Sequence, residues 1–130
     1  MNIITYKFGS VKMKTLRQIF GDWKKSKIAF EVISYLLKKQ CYICPITKKS
    51  LTLGSGYDIS HIIPLSVLES KIRPIDEDLA VLLTTSEDNM FLENSKSNRK
   101  RKDKIDENIY PMYLDVIEYY SLDLFKSICC

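Results

Sequence analysis

Histidine is almost missing from this chain of 130 residues: His61 is the only one. Long apolar runs are missing too, the longest lying around Ala80 to Leu83, far short of the roughly 20 residues that cross a bilayer. No membrane span is expected. The first residues, MNIITYKFGSVKMK, scatter lysine among apolar positions, with neither a continuous apolar stretch nor a small-residue cleavage site, so no signal peptide is read there. The cytoplasm follows as the expected location. Cysteine is scarce, with four residues placed as Cys41-x-x-Cys44 and the adjacent Cys129 and Cys130. Without an export signal these are expected to be reduced thiols, which argues against a disulfide framework. No sign of charge dominates, since the net charge is only +4.

What is present suits one domain. A composition of 45% hydrophobic and 28% charged residues is ordinary for globular chains and argues against disorder. A chain of this length buries about two-thirds of its unfolded surface. Residues 1–130 are therefore read as a single domain, with a helical scaffold at 1–40, a core at 41–108 and a packing helix at 109–130.

Residues 12–40 read as two helices broken at Gly21 and Asp22, with Asp22 as N-cap of the second. Ala29, Val32, Ile33, Leu36 and Leu37 recur at helical spacing and define a buried face, so this region is expected to be scaffold without chemistry. Pro45, Gly54 and Gly56 punctuate short strand-like runs, and residues 57–60 should form a strand that delivers His61 to a rigid edge. The connection between Pro64 and Asp88 is too long for a bare loop and should contain one or two short helices. Residues 90–92 read as a second strand. A helix capped by Asn94 or Ser95 should then run to about Asn108, and Pro111 suits the first turn of a last helix with Tyr113, Val116, Ile117, Tyr120, Leu124 and Ile128 on its apolar stripe. There are no internal repeats. One segment is biased: KSNRKRKDK, residues 96–104, holds six of the twenty Lys and Arg.

His61 sits in GYDISHIIPLS, a strand ending in His-x-x-Pro, and is followed by Asn89 at the second strand and by Asn98 on a basic helix in DNMFLENSKSNRKRKD. This order resembles the HNH endonucleases, and the nine-residue spacing of Asn89 and Asn98 is similar to that of the HNH domain of CRISPR-guided DNA nucleases. The resemblance covers residues 41 to 104. It implies an α+β protein with a ββα-metal (His-Me finger) core, here flanked by N- and C-terminal helices, that hydrolyses DNA phosphodiester bonds. It also implies His61 as general base, Asn89 as the residue that orders the connection and orients the base, and Asn98 as a ligand for Mg²⁺ or a similar divalent ion such as Mn²⁺.

The residue types fit the chemistry. A neutral imidazole can accept a proton from water near pH 7, and a hard cation takes oxygen ligands from one or two protein groups, water and phosphate. Lys96, Arg99, Lys100, Arg101 and Lys102 are placed to neutralise phosphates of a nucleic acid, most simply double-stranded DNA. The pattern departs from the family at two places. Ser60 precedes the histidine where the family has a metal-binding Asp or His, although Asp58, two residues earlier on the same strand face, can take that role. Cys41 and Cys44 fit one half of the family's structural zinc site, but Asn94 and Ser97 stand near where the second pair would fall. Structural zinc would then need Cys129 and Cys130, so it is not the expected state.

Three functional classes stay open on the sequence. The first is an endonuclease of restriction, phage or mobile-element type, with a homodimer as one route to double-strand cutting. The second is a catalytically inactive HNH-like nucleic-acid-binding module. The third is a helical interaction protein whose basic run meets an acidic partner.

Overall fold

The computed structural model describes residues 13–51, 56–102, 104–120 and 122. It is an α+β arrangement of six α-helices and a two-stranded antiparallel sheet. Helix α1, Leu16–Lys24, starts at a capping box: the Thr15 hydroxyl accepts the Gln18 N–H at 3.1 Å, and the Gln18 side chain accepts the Thr15 N–H at 2.8 Å. The helix continues through Gly21 and Asp22, and the break falls at Lys25 and Ser26 instead. Asp22 is not a cap; its carboxylate pairs with Lys14 at 2.8 Å. Helix α2, Lys27–Lys39, buries Ala29, Val32 and Leu36 on one face, as the periodicity predicts.

Strand β1, Tyr57–His61, pairs with strand β2, Met90–Asn94, so that Asp58 faces Glu93, Ser60 faces Phe91 and His61 faces Met90. Residues 62–89 connect them through α3, Leu65–Val67, a π-type turn at Leu68–Ile72, α4, Glu77–Thr85, and a single 3-10 turn at Glu87–Asn89. Asp76 caps α4 by accepting the Leu79 N–H at 3.1 Å. Alternation along β2 divides the core. Phe91 joins the cluster built on Leu16, Ile63, Leu68, Leu83 and Tyr113, while Met90 and Leu92 join Phe20, Val32, Leu36 and Cys44 on the other face.

The outer edge of β2 is closed by a side chain. Gln40 accepts the Leu92 N–H at 2.7 Å and donates to the Leu92 carbonyl at 2.9 Å, standing in for a third strand. Helix α5, Ser95–Arg101, follows β2 directly because Asn94 accepts the N–H groups of Lys96 and Ser97. It was expected to reach about Asn108, but it stops at Arg101, where Lys102 takes φ +56° and the Arg101 guanidinium donates to the Lys104 carbonyl. Lysines at i and i+4, such as Lys96 and Lys100, repel along a helix and give this run little reason to extend. Helix α6, Tyr110–Tyr119, has Pro111 in its first turn and buries Tyr113 and Val116. Leu124 and Ile128 lie outside the described residues. Among the described residues no helix is long and apolar enough to cross a membrane.

Candidate active site

Adjacent strand residues point to opposite faces, so His61 and Ser60 leave β1 on different sides. Both nevertheless line one cleft of about 590 Å³, together with the rest of β1. A cleft that runs along the free edge of the strand receives side chains from both faces. Among the described residues β1 has such an edge, because β2 covers only its other one.

His61 is 8% exposed and is held by the end of α4. The last carbonyls of a helix lack intrahelical partners. His61 Nε2 lies 2.8 Å from the Thr84 carbonyl, and the Asn89 amide donates to the Leu83 carbonyl at 3.0 Å. A carbonyl only accepts, so Nε2 carries the proton and the lone pair falls on Nδ1. Burial drives the His61 pKa down to about 4, against a partial rise from the Thr84 bond and with a further small lowering by Lys24. The imidazole is therefore neutral at pH 7. Phe20 packs edge-on against it with ring centroids 4.4 Å apart.

Asn89 is fully buried and uses its whole amide on the connection: besides Leu83, it accepts the Ile63 N–H at 2.8 Å and donates to the Ile63 carbonyl at 3.3 Å. The segment that leaves His61 is thereby tied to α4, whose end orients the ring.

On the other face of the sheet, α5 covers a polar network. Asp58 accepts from Ser95 Oγ at 2.9 Å and from Asn98 Nδ2 at 3.0 Å. Ser60 Oγ lies 2.8 Å from Glu93 and 3.0 Å from Asn98 Oδ1. A hydroxyl has one proton, so it can serve only one of these two acceptors at a time. When it serves Glu93, Asn98 Oδ1 has no donor and its lone pairs stay available. Glu93 itself is fully buried and is held by both prongs of Arg101, at 2.8 and 3.1 Å, and by Ser97 Oγ at 2.7 Å.

Asp58, Ser60 and the Asn98 Oδ1 offer oxygen, the donor type a hard divalent cation prefers, while the Asn98 amide nitrogen is turned to Asp58. Among the described residues no three His, Cys, Asp or Glu side chains come together as a metal site. A cation here would thus take Asp58 and Asn98 as its protein ligands and complete its shell from water and a phosphate, which suits Mg²⁺ or Mn²⁺.

The cations divide. Lys102 and Arg101 both line the cleft, but Arg101, expected on phosphate, is paired with Glu93 and its side chain is 8% exposed. Lys96 and Lys100 lie on the other side of α5, and Arg99 is exposed on neither lining. Two cations that the sequence did not single out take their place: Arg17 and Lys24 of α1 line the cleft beside Phe20. Residues 12–40, read from the sequence as scaffold, thus also supply part of the cleft wall. Arg17, Gly21 and Lys24 recur at i, i+4 and i+7, a polar row legible as one helix face but not as one side of a cleft.

The cysteines stand apart from this site. Cys41 is exposed, whereas Cys44 is buried in the core. Burial pushes the Cys44 thiol up, but hydrogen bonds from the Thr47 side chain and from the backbone of Asn94, Thr47 and Ile46 outweigh it and leave the pKa below the usual thiol value. Asn94 caps α5 and Ser97 donates to Glu93, so neither is available as a ligand. The described residues do not assemble a tetrahedral zinc set; Cys129 and Cys130 lie outside them. The chain matches no protein-family model, and searches of curated proteins and of solved structures return no match either, so the reading of this site rests on its own residues.

Proposed function

We propose that the protein is a metal-dependent endonuclease of HNH type that hydrolyses DNA phosphodiester bonds, with a ββα-metal core made of β1, β2 and α5. The observation that carries this reading is His61: a neutral imidazole, fixed by Thr84 through Nε2, in a cleft lined also by the oxygen-bearing Asp58, Ser60 and Asn98 and by the cations Arg17, Lys24 and Lys102. Nδ1 takes a proton from a water molecule. The water oxygen bonds to phosphorus as the bond to the leaving 3′ oxygen breaks, and that oxygen departs with the pair. A divalent cation held by Asp58 and Asn98 would stabilise the charge that develops on the phosphate and leaving group. Arg17, Lys24 and Lys102 balance the negative charge of the bound strand. Asn89 and Thr84 act through His61 by holding it.

A base with a pKa near 4 is weak for activating water; a bound phosphate anion favours the imidazolium, while the divalent cation and the cleft's own cations oppose it.

One observation favours the alternative of an inactive nucleic-acid-binding module: Ser60 occupies the metal-ligand position of the family pattern, and its hydroxyl bonds to Glu93 rather than facing solvent. Incubation of supercoiled plasmid with the protein in Mg²⁺, Mn²⁺ or EDTA separates the two. Metal-dependent nicking is expected. Retained DNA binding by a folded protein, with no nicking in either metal, would assign the binding module.

A further inference from the structure

Cations flank helix α5 on two sides. Asn98 lines the His61 cleft, as does Lys102 just past the end of the helix, while at 100° per residue Lys96 and Lys100 lie about 160° to 200° away from Asn98. On that far side is a second groove of about 660 Å³. Lys96 and Lys100 of α5 line it from one wall, Lys104 from the turn that follows, and Lys49 from the loop after Cys44. All four lysines are exposed, and among the described residues none is in an ion pair. Asp106 is the one acid in the lining, and its carboxylate already accepts the Asn108 N–H at 2.7 Å. Four like charges from three segments converge here, and among the described residues Asp106 is the one opposite charge in the lining, so positive charge is in excess.

We propose that this groove is a second phosphate-binding track, holding the sugar–phosphate backbone of duplex DNA across α5 from the strand in the His61 cleft. The proposal rests on the reading of that cleft as a nucleic-acid site. Its geometry selects a duplex. A helix with its side chains is about 10–12 Å across, so cations on its two flanks address two phosphate rows separated by about the width of a duplex groove. A single strand offers only one row. Lys49 and Lys104 are therefore binding residues outside the basic helix.

The test compares the unaltered protein with a Lys49→Gln/Lys104→Gln double variant, in EDTA so that no cleavage intervenes. Binding to a duplex and to a single strand of the same length is measured by fluorescence anisotropy over a series of salt concentrations. Loss of two phosphate contacts should reduce the steepness of the duplex salt dependence by about 1.8, at about 0.9 per phosphate, and leave the single-strand dependence unchanged. Both lysines are exposed, and a matching thermal melt checks the fold. An unchanged duplex slope, an equal fall on the single strand, or no duplex binding by the unaltered protein would each overturn the proposal. Its failure and that of the nuclease reading are distinct. A protein that shows the predicted slope change but never cuts in Mg²⁺ keeps the groove and loses the enzyme, and one that cuts with an unchanged slope does the reverse.

Discussion

His61 enters the cleft already neutral, because the fold holds its imidazole at a pKa of about 4 where an exposed histidine sits near 6.5. Two predictions follow from that gap. In activity, the acid limb of kcat/KM, which reports the free protein, should fall near pH 4. In stability, the unfolded chain binds a proton between pH 6.5 and 4 that the folded chain does not. The fold should accordingly lose about 3 kcal/mol as pH falls through that window, and a His61→Gln variant should lose much less of it, as urea unfolding at pH 7 and pH 4.5 would show. Arg101 supplies a contrasting case. The basic run suggests a phosphate contact, but the buried fork on Glu93 makes Arg101 a structural residue. Arg101→Ala should destabilise by about 3–5 kcal/mol by stranding a buried carboxylate, and Arg101→Lys should restore little, since an ammonium cannot supply the two-pronged donor. A loss of DNA affinity without loss of stability would contradict this. Burial of Glu93 was not legible in advance, because a glutamate at a strand end ordinarily faces water.

At the scale of elements, local chemistry set much of what could be read. The strand that ends at His61, the second strand, the Asn94 cap and Pro111 at the start of α6 all carry their signals within a few residues. The start of α1 has such a signal too, Thr15-x-x-Gln18, and giving more weight to Gly21 than to that capping box put the helix break four residues early. Glycine inside a helix weakens it without ending it. Gly21→Ala should therefore stabilise the protein by about 0.5–1 kcal/mol in thermal or urea unfolding, since an added Cβ meets nothing within 4 Å. Destabilisation would mean that α1 does not run through this position as described. The end of α5 was not legible, because six cations in nine residues look helical by propensity while their repulsion and the use of Arg101 elsewhere stop the helix.

The whole molecule adds what neither residues nor elements contain. The cleft exists because α1 meets the end of β1 through Phe20 and His61 and brings Arg17, Phe20 and Lys24 into one lining with Asp58, Ser60 and Asn98, residues 34 or more positions away in sequence. Nothing in the periodicity of α1 announces that partner. If His61 is the base, its single copy gives one catalytic centre per chain. Plasmid cleavage should accordingly pass through a nicked circle before the linear form, as a time course on a gel would report; linear product from the first time points would require two centres acting together. The most direct test of the central claim is the single-turnover rate of duplex cleavage by His61→Gln against the unaltered protein, in Mg²⁺ and at DNA occupancies matched by anisotropy. If His61 is the base, the rate should fall at least about 100-fold at unchanged occupancy. A rate within a few-fold of the unaltered protein would show that the base lies elsewhere and that His61 is a buried packing residue.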